Sequence, residues 1–119
     1  GAMVSELTTA QHDDVFAAVI HLPHLLSFAL VHDIAKRDNR DLLMSFAASG
    51  FRDFTRIAAS SPEMWRDICL ANRDAMLREL HIYIAELNQM SAALADCDAE
   101  KLEQTFRTAQ QLRSGWTLK

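Results

Sequence analysis

The chain has 119 residues, the size of one common domain; half of them are hydrophobic and 24% are charged. This composition predicts a folded core and excludes a disordered segment. The formal net charge is −4, and without a cluster of lysines and arginines there is no electrostatic reason to bind nucleic acid. Residues 1–3, GAM, are interpreted as a cloning remnant, and residues 4–119 as a single helical domain. Cys69 and Cys97 match no metal-ligand spacing, so we expect two reduced thiols in a cytoplasmic protein.

The first predicted helix begins at Thr8 or its neighbour, either of which can cap it, and runs to about Ala35. Residues 15–31 within it carry no charged side chain. We interpret this run as the central helix of a helical protein, covered on most sides, and not as a membrane span. Pro23 lacks a backbone donor and predicts a kink near Leu22.

Two histidines interrupt this apolar run in the motif HLPH. The spacing of His21 and His24 puts both on one helical face, and Ser27 continues the line. Two interpretations stay open: histidines hydrogen-bonded inside a helical core, or a polar patch at the mouth of a ligand site, where a neutral imidazole can donate or accept. A metal site would need further ligands, and neither His32 nor the cysteines fall at a recognisable spacing.

Short helices are predicted over DLLMSFAAS, closed by Gly50 in the left-handed conformation, and over FRDFTRIAA. The second of these carries a charged arc of Arg52, Asp53 and Arg56. Such an arc is typical of a solvated ion-pair cluster, which stabilises a protein little. It is equally typical of a carboxylate site, in which an acid holds a guanidinium fork beside an aromatic wall such as Trp65.

Ser61 as N-cap and Pro62 after it predict the start of the next helix. The longest helical pattern runs from Arg73 to about Ala95, and a last helix runs from Asp98 to about Arg113. The longest helix carries an a/d stripe of apolar residues: Met76, Leu80, Tyr83, Leu87, Met90 and Leu94. We expect this stripe to form core or a subunit seam.

No alternation typical of a strand occurs, so the predicted fold class is all-α, a bundle of about five to six helices. The motif HLPH at 21–24, followed by GFRDFTRIAASSPEMWRDI at 50–68, resembles the C-terminal helical domain of prephenate dehydrogenase. HDDVFAAV at 12–19 and CLANRDAMLREL at 69–80 also fit that family, and the resemblance covers about residues 7–114. It implies a dimerisation domain of the 6-phosphogluconate-dehydrogenase C-terminal-like type.

What the resemblance implies about function is specific. The whole enzyme oxidatively decarboxylates prephenate to 4-hydroxyphenylpyruvate in tyrosine biosynthesis, with NAD or NADP as cofactor. An N-terminal Rossmann domain, absent here, would bind the nucleotide and supply the catalytic histidine. The present chain would form a homodimer and close the substrate cleft, where it would touch prephenate or tyrosine. Alone it would bind no cofactor or metal and would be inactive.

The resemblance assigns substrate binding to seven residues of this chain: Arg56, His24, His21, Asp53, Gly50, Trp65 and Met64. Arg56 would grip a prephenate carboxylate, and Asp53, one turn earlier, would position it within an ionic network. His24, with His21, would line the pocket. Met64 and Trp65 would come from the neighbouring subunit, and Gly50 would let the backbone approach the ligand.

Two other functions stay open from the residues alone. One is a non-catalytic helical dimerisation module, for which the charged arc would be solvated. The other is a self-sufficient helical enzyme of the chorismate mutase kind, which needs several arginines along one long helix. The longest helix here offers only Arg73 and Arg78.

Overall fold

The computed structural model describes residues 7–117, and within that range it contains helices and no strand, which confirms the predicted all-α class. The cloning remnant expected at residues 1–3 lies outside the described residues. Contacts group the described chain into two compact units, residues 7–79 and residues 80–117. The α-helices are α1 (Thr9–Phe16), α2 (Leu22–Ala35), α3 (Arg40–Ser45), α4 (Ser49–Thr55), α5 (Pro62–Ala71), α6 (Arg73–Ala95) and α7 (Ala99–Gly115).

The predicted N-terminal cap is confirmed at Thr8. Its hydroxyl accepts from the backbone N–H of Gln11 at 3.1 Å, and the Gln11 side chain accepts from the backbone N–H of Thr8 at 2.9 Å. This reciprocal pair is a capping box, which satisfies two donors that the first turn of a helix leaves without partners.

A π-helical segment, Ala17–His21, joins α1 to α2 and makes one continuous helix over Thr9–Ala35. The kink predicted near Leu22 from Pro23 is replaced by this π-helical segment. The proline ring crowds the carbonyl four residues before it and removes one donor, and a π turn accommodates both changes. The backbone N–H of Leu22 accordingly donates to Ala17, five residues earlier. The π-helical segment includes His21, and His24 lies three residues after it.

Gly50 does not close the helix before it, so that prediction is wrong. It lies inside α4, and no described glycine has a positive φ. The reason is that α3 ends early, at Ser45, and Phe46–Ala48 connect it to α4. A 3₁₀ segment, Arg56–Ala59, then follows α4 directly.

The predicted starts of the last three helices and the predicted end of α6 are confirmed. Ser61 caps α5 by accepting from the N–H of Met64 at 3.2 Å, and Asp98 caps α7 by accepting from the N–H of Lys101 at 3.0 Å. The bounds of α6 are those of the heptad pattern. Local capping chemistry is a short-range signal, which explains why these bounds can be predicted from sequence.

The core of the unit formed by residues 7–79 lies between the helix that contains Ala17 and the start of α6. Its buried residues are Ala17, Ala75 and Met76, with Leu25 and Cys69 packed against them. Polar contacts hold the same elements at the surface. Asn72 donates to the carbonyl of Asp13 at 3.0 Å, and Arg78 pairs with Asp14 at 2.7 Å.

Residues 80–117 contain the C-terminal part of α6 and α7, joined by a tight turn. The backbone N–H of Asp98 donates to Ala93 at 2.9 Å, and that of Cys97 donates to Leu94 at 3.1 Å. This is the Schellman pattern, which requires a left-handed residue and favours glycine. Cys97 takes that place with φ of 50°.

We expect Cys97→Gly to stabilise the chain, because glycine adopts this conformation without the Cβ clash. The gain should be about 0.5–1 kcal/mol, after the greater entropy of glycine in the unfolded chain is deducted. Urea denaturation measures it. Cys97→Ala keeps the Cβ and is the matched control, and equal midpoints for the two variants would contradict the explanation.

A large apolar surface remains on the described chain. In the a/d stripe, Met76 is buried, but Leu87 and Leu94 are 46% and 63% exposed. The helix Thr9–Ala35 is long and apolar, and only 17% of its most apolar stretch of 18 residues is buried. Length and apolarity would suit a membrane span, but a core helix of a soluble protein meets the same two criteria. Uncovered apolar helix faces are also typical of a subunit interface.

Candidate functional site

Three aromatic side chains converge at the HLPH motif within one chain. The Trp65 indole stacks on the His24 imidazole with ring centroids 3.9 Å apart and an interplanar angle of 16°. It meets His21 edge to face at 5.9 Å and 80°. Trp65 is buried, and both imidazoles are partly buried. The two histidines therefore share one aromatic neighbour, Trp65.

The tautomer of His24 follows from its hydrogen bond. Its Nδ1 lies 3.1 Å from the carbonyl oxygen of Ile20. A carbonyl can only accept, so Nδ1 carries the hydrogen, and in the neutral ring Nε2 keeps a lone pair. With one ring face covered by Trp65, Nε2 can accept a hydrogen bond from a ligand that approaches at the ring edge.

His21 differs from His24 because its Nδ1 is buried and has no hydrogen-bond partner among the described residues. Burial lowers the pKa of His21, and the positive charges that His24 and His12 can carry lower that pKa further. Phe16 contacts the ring from the other side, edge to face at 6.2 Å. A cleft of about 280 Å³ opens beside it, lined by His12, Asp13, Phe16, His21, Ile68, Ala71 and Asn72.

The lowered pKa of His21 predicts acid sensitivity. The unfolded chain takes up a proton at this imidazole near its ordinary pKa of about 6.5, before the folded chain does. The contribution of neutral His21 to stability is therefore complete above that pH and is lost as the pH falls from there to the lower folded pKa. We expect the urea concentration at the unfolding midpoint to decrease as the pH is lowered from 7.5 to 5.5. The decrease should be smaller in His21→Gln. His32→Gln, at an exposed histidine, is the control. If the urea midpoint of His21→Gln depends on pH as strongly as that of the unmodified chain, His21 is not the cause of the acid sensitivity.

The predicted ionic cluster around Arg56 does not form. Arg52, Asp53 and Arg56 are all exposed, and none makes an ion pair within 4.0 Å to another described residue. The acid expected to hold the Arg56 guanidinium therefore does not hold it. The physical reason is that an exposed ion pair gains too little free energy to fix two mobile side chains.

The backbone at Arg56 is nevertheless held close to the helix that carries His24. Both α4 and the 3₁₀ segment pack on α2. The Ser27 hydroxyl, one turn after His24, donates to the carbonyl of Phe54 at 3.0 Å. The sequence placed Ser27 on the histidine face but did not reveal this bond, because its partner lies 27 positions away. A small polar residue in an apolar run was the only available signal.

The other predicted site residues occupy different surroundings. Trp65 contacts His21 and His24 of its own chain, and the expectation that it comes from the neighbouring subunit stays a prediction. Met64, its neighbour, is 51% exposed. Gly50 is exposed, and a Cβ added there would meet nothing within 4 Å, so local packing does not require glycine. In the described part of the chain no group of three or more His, Cys, Asp or Glu side chains could hold a metal ion.

Comparison with known proteins adds the family. Residues 8–108 match the family model described as prephenate dehydrogenase, dimerization domain. The chain is 41% identical over 115 residues to prephenate dehydrogenase of Bacillus subtilis strain 168, a match that covers 96% of this chain and 31% of that protein. The chain thus spans about a third of the length of the relatives it matches.

Solved structures agree with this match. A crystal structure of Synechocystis arogenate dehydrogenase has a TM-score of 0.86 and 27% identity, covering 93% of this chain and 41% of that one. Prephenate dehydrogenase from A. aeolicus in complex with hydroxyphenyl propionate and NAD⁺ has a TM-score of 0.83 and 34% identity, covering 91% and 38%. Because the family model matches residues 8–108, well over half of the chain, the chain belongs to the family of prephenate dehydrogenase dimerization domains.

Proposed function

We propose that this chain is the C-terminal part of a prephenate dehydrogenase, where it forms a homodimer and closes the substrate cleft. The whole enzyme would oxidatively decarboxylate prephenate to 4-hydroxyphenylpyruvate in the cytoplasm, on the route to tyrosine. The observation that supports this most is the cluster of His24, His21 and Trp65, beside a segment that presents an uncommitted arginine. The family match over residues 8–108 supplies the chemical context.

The described residues suit the two ends of such a substrate. Arg56, exposed and without a carboxylate partner among the described residues, would bind a substrate carboxylate through its guanidinium fork. His24 would accept a hydrogen bond from the substrate through Nε2, and Trp65 would keep the His24 imidazole in place. Asp53, Gly50 and Met64 would border the cleft, and the open space at Gly50 leaves room for a ligand or for another domain.

The nicotinamide cofactor, NAD or NADP, would bind outside this chain. A dinucleotide site needs a glycine-rich turn at a helix N-terminus, and this chain has only three glycines, well separated. The cofactor would take the hydride from the substrate, and the residues of this chain would bind and orient the substrate and exclude water. The A. aeolicus relative was solved with NAD⁺.

Self-association would cover the apolar surface that the described chain leaves open. Residues 80–117 provide two helices, of which Ala93 is the buried hydrophobic residue, while Leu87, Leu94 and Phe106 are substantially exposed. So small a unit cannot bury enough surface to be stable uncovered. A second copy of the chain is the partner that we propose, in agreement with the description of the family as a dimerization domain.

The chorismate mutase alternative loses support from the structure. Such an enzyme needs arginines that converge on a dicarboxylate. Arg73 and Arg78, the candidates on the longest helix, pair instead with Asp74 and Asp14, each at 2.7 Å. Disappearance of chorismate on incubation with the chain would restore that alternative.

The proposal predicts that the isolated chain has no dehydrogenase activity. Purified chain incubated with prephenate and either NAD⁺ or NADP⁺ should give no increase in absorbance at the wavelength of the reduced nicotinamide. The same chain joined to the N-terminal part of its own protein is the control and should give one. Activity of the isolated chain, or inactivity of the complete protein toward prephenate, would count against the proposal.

A further inference from the structure

Ser27 is the polar side chain that is fully buried among the described residues, with 0% of its surface exposed. It lies on α2 three residues after His24, one turn along the same face. A hydroxyl buried in an apolar run costs free energy unless it is hydrogen-bonded, so its partner is informative. Packing alone would be served as well by alanine.

The partner joins two elements that the chain separates widely. The Ser27 hydroxyl donates at 3.0 Å to the carbonyl of Phe54, near the end of α4, where carbonyls lose their helical partners. Two residues later Arg56 begins the 3₁₀ segment. The bond therefore connects the backbone that presents Arg56 with the helix that carries His24.

The neighbouring hydroxyls act only locally. Thr55 donates to Phe51 at 2.7 Å, and Ser60 donates to Ile57 at 2.7 Å, both within the same stretch of chain. Among the side-chain hydrogen bonds of the described residues, that of Ser27 is the one that joins this stretch to α2. Since no carboxylate holds the Arg56 side chain, its place depends on its backbone.

We propose that Ser27 is a positioning residue that sets the separation of Arg56 and His24 through the Phe54 carbonyl, and so determines the substrate length that both can bind at once. This inference rests on the proposed function, which assigns Arg56 and His24 to the substrate. It predicts that Ser27 affects substrate binding without touching the substrate, and only while Arg56 is present.

A double-mutant cycle tests this in the complete dehydrogenase. Ser27→Ala should raise KM for prephenate about tenfold while kcat stays within about twofold, because ground-state positioning is lost. In an Arg56→Ala background the same change should have almost no further effect, since the two residues act as one unit. Ser27→Cys, of similar volume with a weaker donor, should give an intermediate KM and serves if Ser27→Ala proves unstable. Thr105→Ala, which removes a hydroxyl bond to the Lys101 carbonyl at 2.9 Å, is the matched control.

The outcomes separate the two proposals. If Arg56→Ala leaves kcat/KM for prephenate unchanged, the carboxylate contact of the proposed function fails. If Arg56→Ala raises KM but Ser27→Ala only lowers the melting temperature, or if the two effects multiply independently, the positioning role fails. A tenfold rise that disappears in the Arg56→Ala background supports the role.

Discussion

Arg56→Ala in the complete enzyme should lower kcat/KM for prephenate by about 30- to 1000-fold, the range for a lost charge-assisted pair to a carboxylate. Most of the loss should be in KM if the guanidinium binds the substrate and the transition state equally. The structure supports the prediction because the arginine is exposed, without a carboxylate partner among the described residues, on a segment that packs on the histidine-bearing helix.

Two variants control for charge and geometry. Arg52→Ala removes an equally exposed guanidinium from the preceding turn and should change kcat/KM less than about threefold, as a surface substitution does. Arg56→Lys keeps the charge but loses the bidentate fork, and it should recover only part of the loss. Equal effects of Arg52→Ala and Arg56→Ala would show that general surface charge is responsible, and would refute a specific carboxylate contact.

Leu87→Glu should dissociate the dimer at micromolar concentration, where the unmodified chain should be dimeric. A two-fold axis places each substituted residue in the interface twice. Because burying an unpaired carboxylate costs several kcal/mol, the Kd of the dimer should rise by roughly a hundredfold or more. Leu94→Glu, one heptad later at a position 63% exposed, should act in the same way. Sedimentation or light scattering over a dilution series measures the change.

The matched control is Gln89→Glu, which adds the same charge to the opposite, exposed face of α6. It should leave Kd within about threefold, since exposed charges are screened. A dimer that tolerates Leu87→Glu and Leu94→Glu as well as Gln89→Glu would place the interface on another apolar surface, such as Val15, Val19, Ile20 and Leu30 of the helix Thr9–Ala35.

The parts of the fold that were predictable depend on short-range chemistry. The caps at Thr8, Ser61 and Asp98 each involve a hydroxyl or carboxylate three residues from its partner, and the bounds of α6 follow a heptad pattern. The predicted ion pair between two exposed side chains is not found among the described residues. Asp53 does not hold Arg56, because exposed pairs gain too little to overcome side-chain entropy.

The amino-acid sequence by itself determines the all-α fold, the bounds of the capped helices and the place of two histidines on one face of an apolar helix. It suffices for these features because caps and periodicity act within a few positions. Tertiary structure alone decided that Trp65 stacks on His24, that Ser27 bonds to Phe54, and that Asp14 on α1 pairs with Arg78 on α6. Those partners are 27 to 64 positions apart, and only the packing of the folded chain brings such groups within reach.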